Sequence, residues 1–322
     1  MQKNHFLTKT VSLVALVVFF LIFNSALAET VAAPDRELIP EPTIRVGLYK
    51  TNEPVKFVSD FSYEVWSGDK FRGVIPANET TTLSYKNGQY SIKSASQEFS
   101  SFDYFRLAPT DAANFFTIVN YNRPVAGRKK INFNTYRGTL EYRYAPKSKL
   151  PYIINELPLD SYVAGVAETY NTAPPEYIKA LLVAARSYAY SHVGKTPPTE
   201  KRMFDVYATT VDQIYLGYNS ELFMPRATQA AADTAGQMVT YKGNPVPTPY
   251  FSHSNGNTKN WKTKDRPWLK SVKAVYDKGK KMYGHGMGMS NNDAIKRALK
   301  DRWTYSQILQ YYYTSTTIEK IY

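Results

Sequence analysis

The stretch from Asn155 to Tyr190, NELPLDSYVAGVAETYNTAPPEYIKALLVAARSYAY, constrains this chain more than any other. Tyr152-Ile153-Ile154 ahead of it predicts a short extended piece, then a helix, a proline-containing break and a second, strongly helical run. In that second run Ile178, Leu181, Leu182, Ala185 and Tyr188/Ala189 recur at three- and four-residue spacing, giving one apolar stripe that needs a partner surface. Pro174 and Pro175 suit its start, and Glu176 places negative charge in its first turn. In the first run Tyr162, Val163 and Val166 form the buried side. Glu168 then ends the otherwise small and apolar stretch Val163-Ala164-Gly165-Val166-Ala167. Desolvation there raises a carboxyl pKa and keeps it protonated enough to act as a general acid. By itself, a lone Glu near a helix end is more often a surface or cap residue.

Residues 1–28 are expected to be a secretory signal, with Lys3 and Lys9 ahead of the apolar core Val11 to Phe23 and a small-x-small site at Ala26-Leu27-Ala28. The alternative is an uncleaved membrane anchor, for which the core is short against the roughly 20 residues of a span. Either way the functional part is expected outside the cytoplasm, secreted, wall-associated or anchored. The chain has no cysteine, which excludes disulfides and thiolate metal sites. Its formal charge of +13 suits anionic envelope polymers or lipid headgroups, or solubility alone. Nucleic acid is not an expected partner of an exported chain, and a membrane is one only if the signal is retained.

Residues 29–42, with Pro34, Pro40 and Pro42, read as a linker. From Thr43 the pattern changes to short alternating runs: Thr43 to Tyr49, Val55 to Val58, Tyr63 to Trp66, Thr82 to Tyr85 and Tyr90 to Ile92. Turn signals at Ser67-Gly68-Asp69 and Asn87-Gly88 separate them. Another extended stretch falls within Phe102 to Val119, and Arg137 to Arg143 alternates again. The expected fold class is therefore α+β: a β-rich part over 43–154 joined to a mixed helix and strand core over 155–322. Ala227 to Ala235 reads as a helix, Gly236 to Pro245 as a hairpin, and the segment around Tyr305 to Tyr313 as a closing helix.

NELPLDSYVAGV-AE followed by IKALLVAARSYA resembles the catalytic segment of the SpoIID/LytB family (stage II sporulation protein D and its relatives). Further along, Thr210 to Gly217 matches the family's T-x-x-Q-x-Y-x-G, and the IRVGLY and N-x-Y-R-G-T-L-E-Y-R segments resemble it too. Tyr250 to Thr258 corresponds to its H-S-S-x-G-G-x-T loop, with Asn257 in place of the second glycine. Gly284 to Ser290 is the second family loop, continued here by Asn291-Asn292-Asp293-Ala294 rather than Q-x-G-A. The resemblance implies lytic transglycosylase activity on peptidoglycan glycan strands, stripped of stem peptides, with Glu168 as the single acid/base. Sporulation-type members carry cysteine and histidine zinc ligands near positions held here by Tyr207, Val211 and Asp212, so neither zinc nor another cofactor is expected.

Gln213 is either a strand-edge polar residue or a glycan contact. His253 and His285, in Gly/Ser-rich loops, either shape local turns or, with Ser252, Ser254 and Ser290, hold saccharide groups. Their spacing with Glu168 matches no zinc motif, and no G-x-S-x-G elbow supports a serine hydrolase. Gly256, Gly286 and Gly288 are expected to let the loops approach a ligand closely. Arg186 is expected to pair with a buried acid, or to steady a carboxylate, and Tyr170, Trp261 and Trp268 are candidates for stacking on sugar faces. A reading of another class remains open: a non-catalytic wall-binding module that stimulates an amidase.

Overall fold

The computed structural model describes residues 36–125, 128, 131–195 and 203–322, and its helices and strands belong to the unit Glu37–Tyr322. The expected signal, and the linker up to residue 35, lie outside the described residues. No helix among the described residues is long and apolar enough to cross a membrane.

The architecture is α+β. In chain order the first strands are β1 (Thr43–Lys50), β2 (Val55–Ser59), β3 (Tyr63–Ser67), β4 (Lys70–Ile75), β5 (Thr81–Lys86) and β6 (Gln89–Lys93). They are followed by β7 (Glu98–Ser101), β8 (Phe105–Pro109), β9 (Phe115–Ile118), β10 (Thr135–Arg137), β11 (Thr139–Ala145) and β12 (Leu150–Pro158). Helices α1 (Leu159–Gly165) and α2 (Pro175–Tyr190) come next, then β13 (Val206–Tyr207), α3 (Tyr218–Phe223) and α4 (Pro225–Asp233). The chain continues with β14 (Gln237–Tyr241), β15 (Asn244–Pro245), β16 (Tyr250–Phe251), β17 (Met289–Ser290), α5 (Asn291–Lys296), α6 (Tyr305–Tyr312) and β18 (Thr317–Lys320).

A seven-stranded sheet runs β13-β1-β12-β11-β8-β3-β4 and a six-stranded sheet runs β10-β9-β2-β5-β6-β7. Alternation sets the burial: β3 and β2 each present every second residue to the core, so Tyr63, Val65, Val55 and Phe57 are buried. One hydrophobic cluster runs from these strands into α1, α2, α4 and α6. The β-rich part and the helical part thus share a core.

Two differences from the sequence expectation bear on function. The extended piece at Tyr152 to Ile154 continues to Pro158, because Thr43 to Lys50 and Thr139 to Ala145 pair with it on both sides. The first helix therefore begins only at Leu159 and is closed by Gly165, three residues before Glu168. Its uncapped start is met by the last residues of the expected linker. The Glu41 carboxylate accepts from Asp160 N–H at 2.8 Å, and Leu159 N–H donates to Pro42 O at 3.0 Å. The second difference is β18, which follows the closing helix where no strand was expected and pairs antiparallel with β14.

Helix α2 is as the stripe predicts, with Ile178, Leu181, Leu182, Ala185 and Ala189 buried. Arg186 is fully buried as well. Its Nε donates to Asp160 Oδ1 at 2.6 Å, and its other nitrogens donate to Gln237 O and Ala231 O. This ties α1, α2, α4 and β14 together. Thr304 and Gln307 form a reciprocal cap at the start of α6.

Candidate active site

Beyond Gly165 the chain leaves α1 and pairs with the Gln213 segment. Leu216 N–H donates to Gly165 O at 2.9 Å, Val166 bridges Tyr215, and Ala167 N–H donates to Ile214 O at 2.8 Å. A Cβ on Gly165 would stand 2.5 Å from the Tyr215 ring, so this approach requires glycine. The Tyr215 hydroxyl donates to Asn155 Oδ1, whose Nδ2 donates to Arg137 O and Thr139 O. The first residue of the 155–190 stretch is therefore the anchor of the segment that meets Glu168.

Glu168 lies at the inner end of a cleft of about 570 Å³, within the usual range for small-ligand sites. Its Oε1 accepts from Ile214 N–H at 3.1 Å, and its Oε2 accepts from the Tyr250 hydroxyl. Burial pushes its pKa up, partly offset by these two donors. The Tyr250 hydroxyl in turn accepts from Gln213 Nε2 at 2.9 Å, and Gln213 Oε1 accepts from the Tyr162 hydroxyl at 2.8 Å. A hydrogen-bonded chain Tyr162–Gln213–Tyr250–Glu168 results. Desolvation first, then the charge of Glu168, pushes Tyr250 and Tyr162 well up, so both stay neutral donors. Arg128 holds the segment from the other side, its Nη2 donating to Thr169 O at 2.9 Å and reaching Ala167 O at 3.5 Å.

His285 also lines the cleft. Its Nε2 lies 3.1 Å from Tyr250 O and its Nδ1 accepts from Met287 N–H at 3.0 Å. That pattern requires the neutral Nε2–H tautomer, and desolvation lowers the His285 pKa in the same direction. Both ring nitrogens are thereby used within the protein, so His285 offers its ring to the cleft and steadies the Tyr250 backbone.

The remaining expected contacts divide. Gln213 lines the cleft, though its amide is taken up by Tyr162, Tyr250 and Ala185 O. None of Ser252, His253, Ser254 and Ser290 lines this cleft, and for the buried Ser254 and Ser290 this corrects their assignment as glycan contacts. Ser254 and Ser290 are fully buried and serve Asp277, which accepts from Ser254 N–H and from the Ser290 hydroxyl. Ser252 Oγ bonds His253 Nδ1, and the His253 ring stacks on Tyr283. Two of the glycines make close approaches to their own chain. A Cβ on Gly288 (φ +74°) would lie 2.0 Å from Pro249 O, and one on Gly286 would lie 2.8 Å from Met282 Sδ. Gly256 (φ +119°) shapes the turn beside Lys278, and the adjacent Asn257 needs no left-handed backbone, so the substitution of a family glycine there imposes no strain.

Trp261 lines the cleft with the Arg266 guanidinium 4.1 Å from its ring centroid. Trp268 is buried against Tyr241 with its indole N–H on Pro247 O, and Tyr170 lies half-exposed outside the lining, so neither meets the cleft as expected. Arg186 steadies Asp160 and not Glu168. The donor set at the positions associated with zinc does not fit that metal. Asp212 accepts from the Tyr188 hydroxyl and Tyr207 N–H, and His192 Nδ1 lies 2.9 Å from Tyr188 O. The residue that sequence reasoning missed is Tyr250, one of 27 tyrosines, whose only mark was its place at the head of a polar loop.

A SpoIID family profile, described as "Stage II sporulation protein", matches residues 148–241. That span holds Glu168, Gln213 and both helices of the 155–190 stretch. The chain carries a SpoIID-family region. Curated relatives agree: it is 33% identical over 158 residues to stage II sporulation protein D of Bacillus subtilis, covering 44% of each chain. It is 32% identical over 147 residues to the Bacillus amyloliquefaciens protein of that name, covering 40% of this chain and 42% of that one. An uncharacterised protein of Brachyspira hyodysenteriae is 34% identical over 130 residues, 40% of this chain and 34% of that one. The chain thus spans less than half the length of these relatives. The SpoIID region contributes the acid and the inner part of its hydrogen-bonded chain, while Tyr250, Trp261, Arg266 and His285 come from beyond residue 241.

Proposed function

We propose that this protein is an exported lytic transglycosylase that cuts peptidoglycan glycan strands with Glu168 as its single acid/base. The observation that carries the proposal is the desolvated Glu168 carboxyl facing a cleft, with a tyrosine hydroxyl and a backbone N–H on its two oxygens. Protonated Glu168 gives its proton to the glycosidic oxygen, and the bond from that oxygen to the anomeric carbon breaks. The same sugar's 6-hydroxyl attacks that carbon, and its proton passes to the Glu168 carboxylate, which restores the acid. No water is consumed, and the product carries a 1,6-anhydro end. The Tyr250 and Ile214 donors stabilise the carboxylate that forms midway, so they limit how far desolvation raises the pKa.

Two-carboxylate hydrolysis would need a second free acid across the scissile bond. Asp212 also lines the cleft, with the Tyr188 hydroxyl and Tyr207 N–H donating to it, so the products formed decide between the two routes. The test is mass spectrometry of products from peptidoglycan, intact and amidase-treated. Anhydro-ended fragments are expected. Reducing ends would replace the proposal with hydrolysis, and binding to the wall with no cleavage would replace it with a non-catalytic wall-binding module.

A further inference from the structure

The cleft carries two cations in its lining, Lys195 and Arg266, and Arg266 sits in a strongly basic segment. The loop that brings Arg266 and Trp261 is laced to the His285 loop, with Lys259 N–H donating to Gly286 O at 2.7 Å and Lys259 bridging Met287. From Lys259 to Lys281 the sequence carries nine lysines and arginines against two aspartates, more than half of the chain's +13. Every lysine in that stretch is exposed, whereas Asp277 is wholly buried. Among the described residues the segment holds one ion pair, Arg266 with Asp265 at 3.8 Å, and Asp265 is also engaged by Trp261 Nε1–H and the Thr263 hydroxyl. Within the cleft itself the carboxylates are Glu168, whose burial drives it toward its neutral form, and Asp212.

Crowding like charges beside a cleft raises the local concentration of an oppositely charged ligand and offers nothing to a neutral one. We propose that this side of the cleft selects strands by charge, with Lys195 and Arg266 reading a carboxylate carried on recurring sugars of the polysaccharide. Muramic acid freed of its peptide presents such a group. The proposal rests on the glycan reading of the site and adds which feature of the glycan is recognised. Long-range attraction from the 259–281 lysines brings the strand in, and Arg266, over the Trp261 ring, places a planar donor fork beside the ring on which a sugar would lie.

The test uses the full chain carrying Glu168→Gln, so that strands survive. It is titrated by calorimetry with peptide-free strands and with the same strands after methyl esterification of their carboxylates. The free-carboxylate strands are expected to bind about tenfold or more tightly at low salt, an advantage that shrinks as salt screens it. Lys195→Gln and Arg266→Gln are each expected to narrow the gap between the two strand forms. Equal affinity for the two forms overturns charge selection and leaves the glycan reading standing. Failure of both forms to bind overturns the glycan reading and the proposal together. An advantage unaltered by both substitutions overturns the assignment to Lys195 and Arg266. Sedimentation with anionic phospholipid vesicles, combined with indifference to esterification, gives the basic segment to a membrane surface and also overturns charge selection.

Discussion

The two ends of helix α1 treat an acid in opposite ways. At its start Asp160 meets the buried Arg186 guanidinium at 2.6 Å, with Gly236 N–H and the Tyr322 hydroxyl completing its shell. Just beyond its end Glu168 is largely buried, and its partners are a tyrosine and a backbone N–H, both uncharged. A guanidinium in contact makes a carboxylate a structural tie. Neutral donors leave desolvation ahead, so the proton stays and can be given away. The same short stretch of sequence thus builds a clamp and a candidate acid, distinguished only by what the fold brings to each.

The largest expected effect comes from removing the acid. Glu168→Gln should lower glycan cleavage by at least about 10²–10⁴-fold, the usual contribution of a general acid. Cleavage measured by mass spectrometry that persists near the wild-type rate would dissolve the distinction between the two ends. Next, Arg186→Met should cost about 3–5 kcal/mol in urea unfolding, because it strands the acid at the clamp end. A loss much smaller than that would show Asp160 to be adequately served by its remaining donors.

Tyr250→Phe sharpens the comparison at the other end. It removes a donor that favours the ionised acid, so the Glu168 pKa should climb further. Activity requires the protonated acid and falls as pH rises through that pKa, so the alkaline limb of the pH–rate profile should move to higher pH. An unmoved limb would separate Tyr250 from the proton on Glu168. Arg128→Ala, which releases the carbonyls on either side of Glu168, should cost about 1–3 kcal/mol in stability, with cleavage falling further than KM changes.

The smallest effect concerns stability against pH. A folded pKa raised above the ordinary carboxyl value of 4.5 means the native protein holds a proton that the unfolded chain has released. Between those two values stability therefore falls as pH rises, and it is fully restored below the unfolded pKa. Thermal unfolding of wild type and Glu168→Gln across this window should converge at low pH and separate as pH rises, with wild type the less stable.

Much of the fold was legible because it rests on local periodicity. The alternating runs from Thr43 to Ile92 and the stripe of α2 each name their own buried face. Strand β18 was not, since Thr317–Lys320 becomes a strand only by pairing with Gln237–Tyr241, far off in sequence. At the site the acid was legible only through the family-like motif around it, since a lone Glu closing a small, apolar stretch serves as well for a surface or cap residue. Ser254 and Ser290 misled because a polar loop looks the same whether its hydroxyls face a ligand or a buried Asp277.

The sequence by itself determined the two helices, the strand-rich stretch before them and a candidate acid beside them, all properties of residues near one another in the chain. Only the tertiary structure decided what that acid touches. Tyr250 stands 82 residues from Glu168 and reaches it through a two-stranded parallel pairing with Met289–Ser290. Periodicity carries information over one helix or one strand. A proton's affinity is set by burial and by the donors within hydrogen-bond reach, which the folded chain alone assembles.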